Sequence, residues 1–177
     1  MRLGAEGSDV LDLSIVGYQF PDADDPQKRY SWHMIQGGAD TSSEAWDFRW
    51  QALTCDESPY LAAWLREVAG ASALGRATPA EGLGRTCFTE PNLAFEVESY
   101  LKGEVVIRAE LDLEFRAPSN KPNHSVGHPS VLHINTSTAQ LVAAATGNRT
   151  SCGTQTGWPP ATEYSARPVV FSPQRDR

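Results

Sequence analysis

The amino-acid sequence predicts an α+β fold, in which a mainly antiparallel sheet has one or two helices packed on one face. Two patterns support this prediction. Several short segments alternate apolar and polar residues, as half-buried strands do, and one later segment repeats its apolar residues at helical spacing. The chain of 177 residues, 40% of them apolar, is long enough for one domain with a hydrophobic core. We therefore expect a single domain over residues 1–147 and a poorly ordered tail over residues 148–177, where proline, serine and threonine are frequent.

Three strands are predicted in the first third of the chain. Polar turns separate them, including one over residues 37–43 that starts with two glycines. Short connections of this kind favour an antiparallel meander. The third strand is expected to direct its aromatic residues to the core. The apolar residues at alternate positions in the three segments are Leu11, Leu13, Ile15, Tyr30, Trp32, Met34, Trp46, Phe48 and Trp50.

A helix is predicted over residues 56–69. Its apolar stripe runs from Tyr60 through Trp64 to Val68. Thr54 and Glu57 match a capping box at its start, and Gly70 is its expected end. A second capping box, formed by Ser137 and Gln140, predicts a short helix over residues 139–146.

The second half of the chain predicts further strands. Leu93, Phe95 and Val97 alternate in one of them, and a hairpin turn at Lys102-Gly103 leads to a longer one over residues 105–116. Residues 131–134 form a last short strand. In the longer strand, apolar residues alternate with mostly charged ones, which gives the strand one buried face and one solvent-exposed face. We expect Leu111, Leu113 and Phe115 to be buried, and Glu110, Asp112 and Glu114 to be exposed.

Charge is distributed unevenly along the chain. The net charge is −7, but residues 1–116 carry −10 and residues 117–177 carry +3. An acidic body repels the phosphate backbone of nucleic acid, so direct nucleic-acid binding is not expected. The same field accelerates encounter with a basic protein. The candidate partner-binding residues are the acidic turn and the outer strand face, namely Asp22, Asp24, Asp25, Glu110, Asp112 and Glu114.

No reaction class is indicated by a motif. The sequence has no nucleophile elbow and no glycine-rich phosphate loop, so neither catalysis nor a cofactor is expected. The three cysteines, Cys55, Cys87 and Cys152, form no Cys-x-x-Cys pair and are interpreted as reduced thiols. With no secretory signal at its start and no apolar run long enough to span a membrane, the chain is expected in the cytoplasm.

Two alternatives to a protein-binding role stay open at this point. The first is a small-molecule or carbohydrate-binding module that uses exposed aromatic side chains. The second is a hydrolase that uses a histidine cluster, whose members are His124, His128 and His133.

Five segments resemble, in the same order, the WapI-type immunity proteins of bacterial polymorphic-toxin systems. They cover about residues 10–118 and are Gly17-Tyr18-Gln19-Phe20-Pro21, Trp46-Asp47-Phe48-Arg49, Leu61-Ala62-Ala63-Trp64-Leu65, Phe88-Thr89-Glu90-Pro91-Asn92-Leu93-Ala94-Phe95 and Leu113-Glu114-Phe115-Arg116-Ala117-Pro118. The segments themselves look structural. The chain differs from the family after Pro118, where Ser119-Asn120 follows, and in its short final helix.

The resemblance implies a non-enzymatic protein that binds and neutralises the C-terminal domain of a toxin encoded beside it. Toxins of such systems are often nucleases. A nuclease active site is basic, and the acidic charge of residues 1–116 would suit such a partner.

Overall fold

Two antiparallel four-stranded sheets are the main feature of the computed structural model, which describes residues 1–75, 83–101, 103–120 and 127–147. The predicted tail at residues 148–177 lies outside the described residues, as does Lys102 of the predicted hairpin turn. The strands are β1 (Arg2–Leu3), β2 (Val10–Tyr18), β3 (Trp32–Asp40), β4 (Ala45–Thr54), β5 (Arg85–Cys87), β6 (Leu93–Leu101), β7 (Glu104–Leu111) and β8 (Ser130–Ser137). The helices are α1 (Pro26–Arg29), α2 (Glu57–Ala73) and α3 (Thr138–Gly147).

The first sheet has the order β1-β2-β3-β4 and the second the order β5-β6-β7-β8. The α+β class and the antiparallel pairing are therefore confirmed, although the strands form two sheets where one was expected. Near β8, the amide of Ala5 donates to the carbonyl of Asn135 over 2.9 Å. At β4, the indole nitrogen of Trp46 donates to the carbonyl of Phe115, also over 2.9 Å. The sheets thus approach each other at two places.

Helix α2 connects the two sheets and completes a core that they share. Its buried residues include Trp64, whose ring centroid lies 5.9 Å from that of Phe95 in β6. The predicted helix is confirmed but continues past Gly70 to Ala73, because nothing crowds that glycine and the helical hydrogen bonds continue. Tyr60, predicted in the apolar stripe, is 61% exposed because it lies beside the buried face. No helix in the described ranges is long and apolar enough to cross a membrane.

Both predicted capping boxes are present. The amide of Thr54 donates to Glu57 Oε2 over 2.8 Å, and the amide of Glu57 donates back to Thr54 Oγ1 over 3.3 Å. Ser137 and Gln140 repeat this reciprocal arrangement at the start of α3. These bonds satisfy amides that a helix leaves without an internal partner.

The turn predicted at residues 37–43 is wrong in its first part, because Gly37 and Gly38 lie inside β3. A Cβ on Gly37 would lie 2.5 Å from the carbonyl oxygen of Asp12 and 2.6 Å from the ring of Phe48. The glycine thus makes room for a core aromatic side chain on the neighbouring strand. The turn itself spans only Thr41 to Glu44, where the Thr41 amide donates to the Glu44 carbonyl.

Besides Tyr60, two apolar residues of predicted strands are exposed where burial was expected. Trp50 is 45% exposed, whereas Trp46 and Phe48 on the same face of β4 are buried as expected. Leu113 is 43% exposed because β7 ends at Leu111, and the chain then turns into a 3₁₀ helix over Leu113–Phe115. The strict alternation stops there, although Phe115 is fully buried.

Candidate partner-binding surface

The acidic turn lies between β2 and β3, and Asp22, Asp24 and Asp25 are all exposed, as expected. Asp25 caps α1 by accepting the amide of Gln27 over 2.9 Å. Lys28 and Arg29 follow in α1, so three carboxylates share this connection with two cations. The turn is therefore exposed but only weakly acidic.

The outer face of the second sheet is neutralised. Arg85 donates two hydrogen bonds to Glu110, over 3.0 Å and 2.5 Å, and Arg108 donates a third. The bonds from Arg85, and then that from Arg108, lower the pKa of the Glu110 carboxyl from 4.5 to about 2, although desolvation opposes the shift. Glu96 lies near both arginines, at 3.8 Å and 3.7 Å. Glu110 is half-buried, contrary to the expected exposure, because the arginines cover it.

Asp112 and Glu114 do not share that strand face, because both follow the end of β7. Asp112 is half-buried, contrary to expectation, and accepts from the amide of Leu113 and the guanidinium of Arg116. Glu114 is exposed, as expected, and accepts from the Asn92 amide over 2.8 Å. The six predicted residues therefore lie on separate parts of the molecule and form no single patch.

A more acidic surface occurs at one end of the first sheet. The β1–β2 and β3–β4 turns share this end, because Val10 pairs with Asp40 and Asp40 pairs with Ala45. We call the four carboxylates of these turns, Glu6, Asp9, Asp40 and Glu44, the acidic end. Asp12 of β2 and Asp47 of β4 lie next to the acidic end, because both pair with Gly38 of β3, two residues before Asp40. The ion pair found here in the described chain joins Arg2 to Asp12 over 3.6 Å.

Sequence reasoning missed the acidic end because its charges come from two turns more than 30 positions apart. No local run of acidic residues marks it. The antiparallel pairing of the predicted meander could have indicated it, because such pairing brings alternate turns to the same end of a sheet.

Evidence for the two alternative functions is weak in the described residues. The best-formed cavity there has a volume of about 10 Å³, enough for about one water molecule. The described ranges contain no group of three or more histidine, cysteine or acidic side chains placed to hold a metal. His128 and His133 are both exposed, and His133 lies 2.9 Å from Glu98, whereas His124 lies outside the described residues.

Residues 88–95 connect three parts of the fold. Thr89 donates through both its amide and its hydroxyl to Glu57 at the start of α2, over 2.7 Å and 2.8 Å. Glu90 accepts from the Gln51 side chain of β4 over 3.3 Å. Asn92, which is fully buried, donates its side-chain amide to Glu114 beside the 3₁₀ helix. The segment thus holds α2, β4 and the 3₁₀ helix in fixed positions.

A sequence model described as the immunity protein WapI-like family matches residues 2–149. The chain belongs to the WapI-like immunity family. No curated protein and no solved structure matches it significantly. Family membership implies a toxin-immunity role, and such proteins act by binding.

The resemblance drawn from five segments is thereby confirmed, and the match extends beyond them at both ends. Four of the five segments of this WapI-like immunity protein contact each other in pairs. Trp46 and Phe115 come from two of them and are hydrogen-bonded to each other, while Trp64 and Phe95 come from two others and have their rings in contact. Their predicted structural role agrees with these contacts.

His33 is a buried titratable group in this WapI-like protein. It lies on the inner face of β3, where its Nδ1 is 2.7 Å from the hydroxyl of Ser58 in α2. The ring of Tyr18, opposite it on β2, lies 5.4 Å away. Burial lowers the pKa of His33 below its ordinary value of 6.5 because it disfavours the charged imidazolium.

Two acid-induced losses of stability are expected. The pKa of His33 is lower in the folded state, so the unfolded chain takes up a proton that the folded protein resists, and stability falls as pH falls below about 6.5. Glu110 contributes stability above pH 4.5 that is lost as pH falls towards about 2. Urea unfolding of the parent and of His33→Asn from pH 7.5 to pH 5 measures the first loss. Parallel pH profiles for the two proteins would contradict the role of His33.

Proposed function

We propose that this WapI-like immunity protein binds and neutralises a cognate toxin domain, a nuclease, through an acidic surface. The observation that carries the proposal is the family match, whose span from residue 2 to residue 149 includes every described strand and helix. We also propose that the protein acts in the cytoplasm, a reducing compartment in which the exposed thiol of Cys87 would stay reduced.

The charge distribution supports a basic partner. A nuclease binds the phosphates of its substrate with cationic side chains, so its active site attracts a negatively charged inhibitor. The acidic end contributes most to this field, since no described cation pairs with its four carboxylates. Asp22, Asp24 and Asp25 contribute less because cations follow them, and Glu110 and Asp112 less again because arginines already bind them.

Charge reversal is expected to slow association with the toxin. The double variants Asp40→Lys/Asp47→Lys and Asp22→Lys/Asp24→Lys each change the net charge by four units at exposed sites. The first should reduce the association rate by about tenfold at low salt, and the second by less, because steering depends on local field. The matched control is Glu67→Lys/Glu104→Lys, which changes the net charge equally at exposed sites on α2 and β7. Surface plasmon resonance from low to high salt gives the rates.

The toxin for this experiment is an inactivated C-terminal domain encoded beside the gene of this protein. Co-expression of the active domain with the parent chain should restore growth of the host. If neither rescue nor binding occurs, the immunity function proposed here is wrong. If binding occurs but association is insensitive to salt and to both double variants, the acidic surface is wrong and the immunity function stands.

A further inference from the structure

Trp50 and Leu113 are two of the seven large apolar side chains that are exposed in the described residues. Trp50 in β4 and Leu113 after β7 are 45% and 43% exposed. Leu113 also has a φ of 49°, a left-handed conformation that disfavours residues other than glycine and asparagine. An exposed leucine in a strained conformation stabilises the fold less than asparagine or glycine would at the same position. Strain of this kind is typically retained where it serves a function.

The chain around Trp50 lies close to the chain around Leu113. Gln51 of β4, whose side chain faces the other side of the strand from Trp50, is hydrogen-bonded to Glu90, and Glu114, next to Leu113, is hydrogen-bonded to Asn92. Glu90 and Asn92 are two positions apart, so their Cα atoms are separated by no more than about 7 Å.

Ring packing in the core also joins β4 to the Leu113–Phe115 helix. Phe48, two residues before Trp50, has its ring centroid 4.2 Å from that of Phe115, two residues after Leu113. We call this surface, formed by β4, residues 90–92 and the Leu113–Phe115 helix, the seam.

The seam is flanked by negative charge. Its carboxylates outnumber its guanidinium groups, which belong to the exposed Arg49 and to Arg116, already bound to Asp112. The Glu44 side chain accepts from Ser119 just after the 3₁₀ helix, so the seam runs directly into the acidic end. An apolar centre with a charged rim is the usual composition of a protein interface, and tryptophan is frequent at its energetic centre. The carboxylates of the seam are Asp47, Glu90 and Glu114, and those directly beside it are Asp112 and Glu44 of the acidic end.

We propose that the seam is the docking site for the toxin domain, with Trp50 and Leu113 as its apolar anchors. This inference rests on the function proposed above and adds the position of the contact. The occupant is a basic protein surface that presents an apolar side chain or pocket to the two anchors, because the rim of the seam is acidic. The rim carboxylates guide the encounter, and the anchors slow dissociation.

The decisive variant is Leu113→Asn, because asparagine tolerates the left-handed conformation but lacks the apolar side chain. Its melting temperature should equal or exceed that of the parent, while its affinity for the inactivated toxin domain falls about tenfold or more. Trp50→Ala should show a loss of affinity at least as large. Matched controls are Tyr60→Ala and Val142→Ala, which remove exposed apolar side chains on α2 and α3 and should leave the affinity within about twofold.

The outcomes separate this inference from the function on which it rests. If the parent does not bind the toxin domain, the proposed function fails. If the parent binds, and Leu113→Asn and Trp50→Ala bind within about twofold of it, the seam is not the docking site although the function stands. A loss of affinity in Leu113→Asn with an unchanged melting temperature supports the seam directly, because a purely structural role cannot produce that combination.

Discussion

Replacing Trp64 by alanine is expected to lower the free energy of unfolding by about 3–5 kcal/mol. Trp64 is only 7% exposed and packs from α2 against the fully buried Phe95 of β6, so its removal leaves a cavity in the shared core. Domains of this kind are typically stable by about 5–15 kcal/mol, so the loss is a large share of the total. Urea denaturation followed by circular dichroism measures it.

Tyr60→Ala is the control for this experiment because Tyr60 lies on the same helix and is 61% exposed. It should change the stability by no more than about 0.5 kcal/mol. If the Trp64 variant were as stable as the Tyr60 variant, α2 could not pack on the sheets as described.

Gly37→Ala is expected to destabilise the protein by about 3 kcal/mol, at the upper end of the usual cost of overpacking. The new methyl group would lie 2.5 Å from the Asp12 carbonyl oxygen and 2.6 Å from the ring of Phe48. The carbonyl is held in the β2–β3 pairing, and the Phe48 ring packs against Phe115, so neither group moves freely. Chemical denaturation again gives the magnitude.

Gly70→Ala is the matched comparison and should have the opposite sign. Gly70 lies inside α2, and a methyl group added to it would have no neighbouring atom within 4 Å. Alanine should therefore stabilise the helix by about 0.5–1 kcal/mol, because it has the higher helix propensity. Similar effects of the two alanine substitutions would show that the close approach at Gly37 is not real.

The sequence predicts the local elements of this fold well where their signal lies within a few residues. The Thr54–Glu57 pair identifies the start of α2, and the alternation of Leu93, Phe95 and Val97 identifies a strand with one buried face. The division into two sheets was not predictable in this way. It depends on whether the strands after α2 pair with the earlier strands or with each other, and no local sequence pattern determines that pairing.

The candidate site was predicted less well, for the same reason. Alternation places Leu113 on the buried face, but the Asp112 carboxylate accepts the next amide and ends the strand first. Glu110 is acidic in the sequence, yet Arg85, 25 positions earlier, neutralises it only because β5, β6 and β7 pair in register. Exposure and effective charge are tertiary properties, so a residue type alone does not determine them.

The capping boxes also fix the length of the chain where strands become helices. Only two residues separate β4 from α2, and β8 continues into α3 without any intervening residue. One residue added at either junction would rotate the following helix by about 100°, given about 3.6 residues per turn. Such a rotation would carry Trp64 of α2 away from Phe95, or Leu141 of α3 out of the core, so insertions and deletions are tolerated far less well at these junctions than in the turn between β3 and β4.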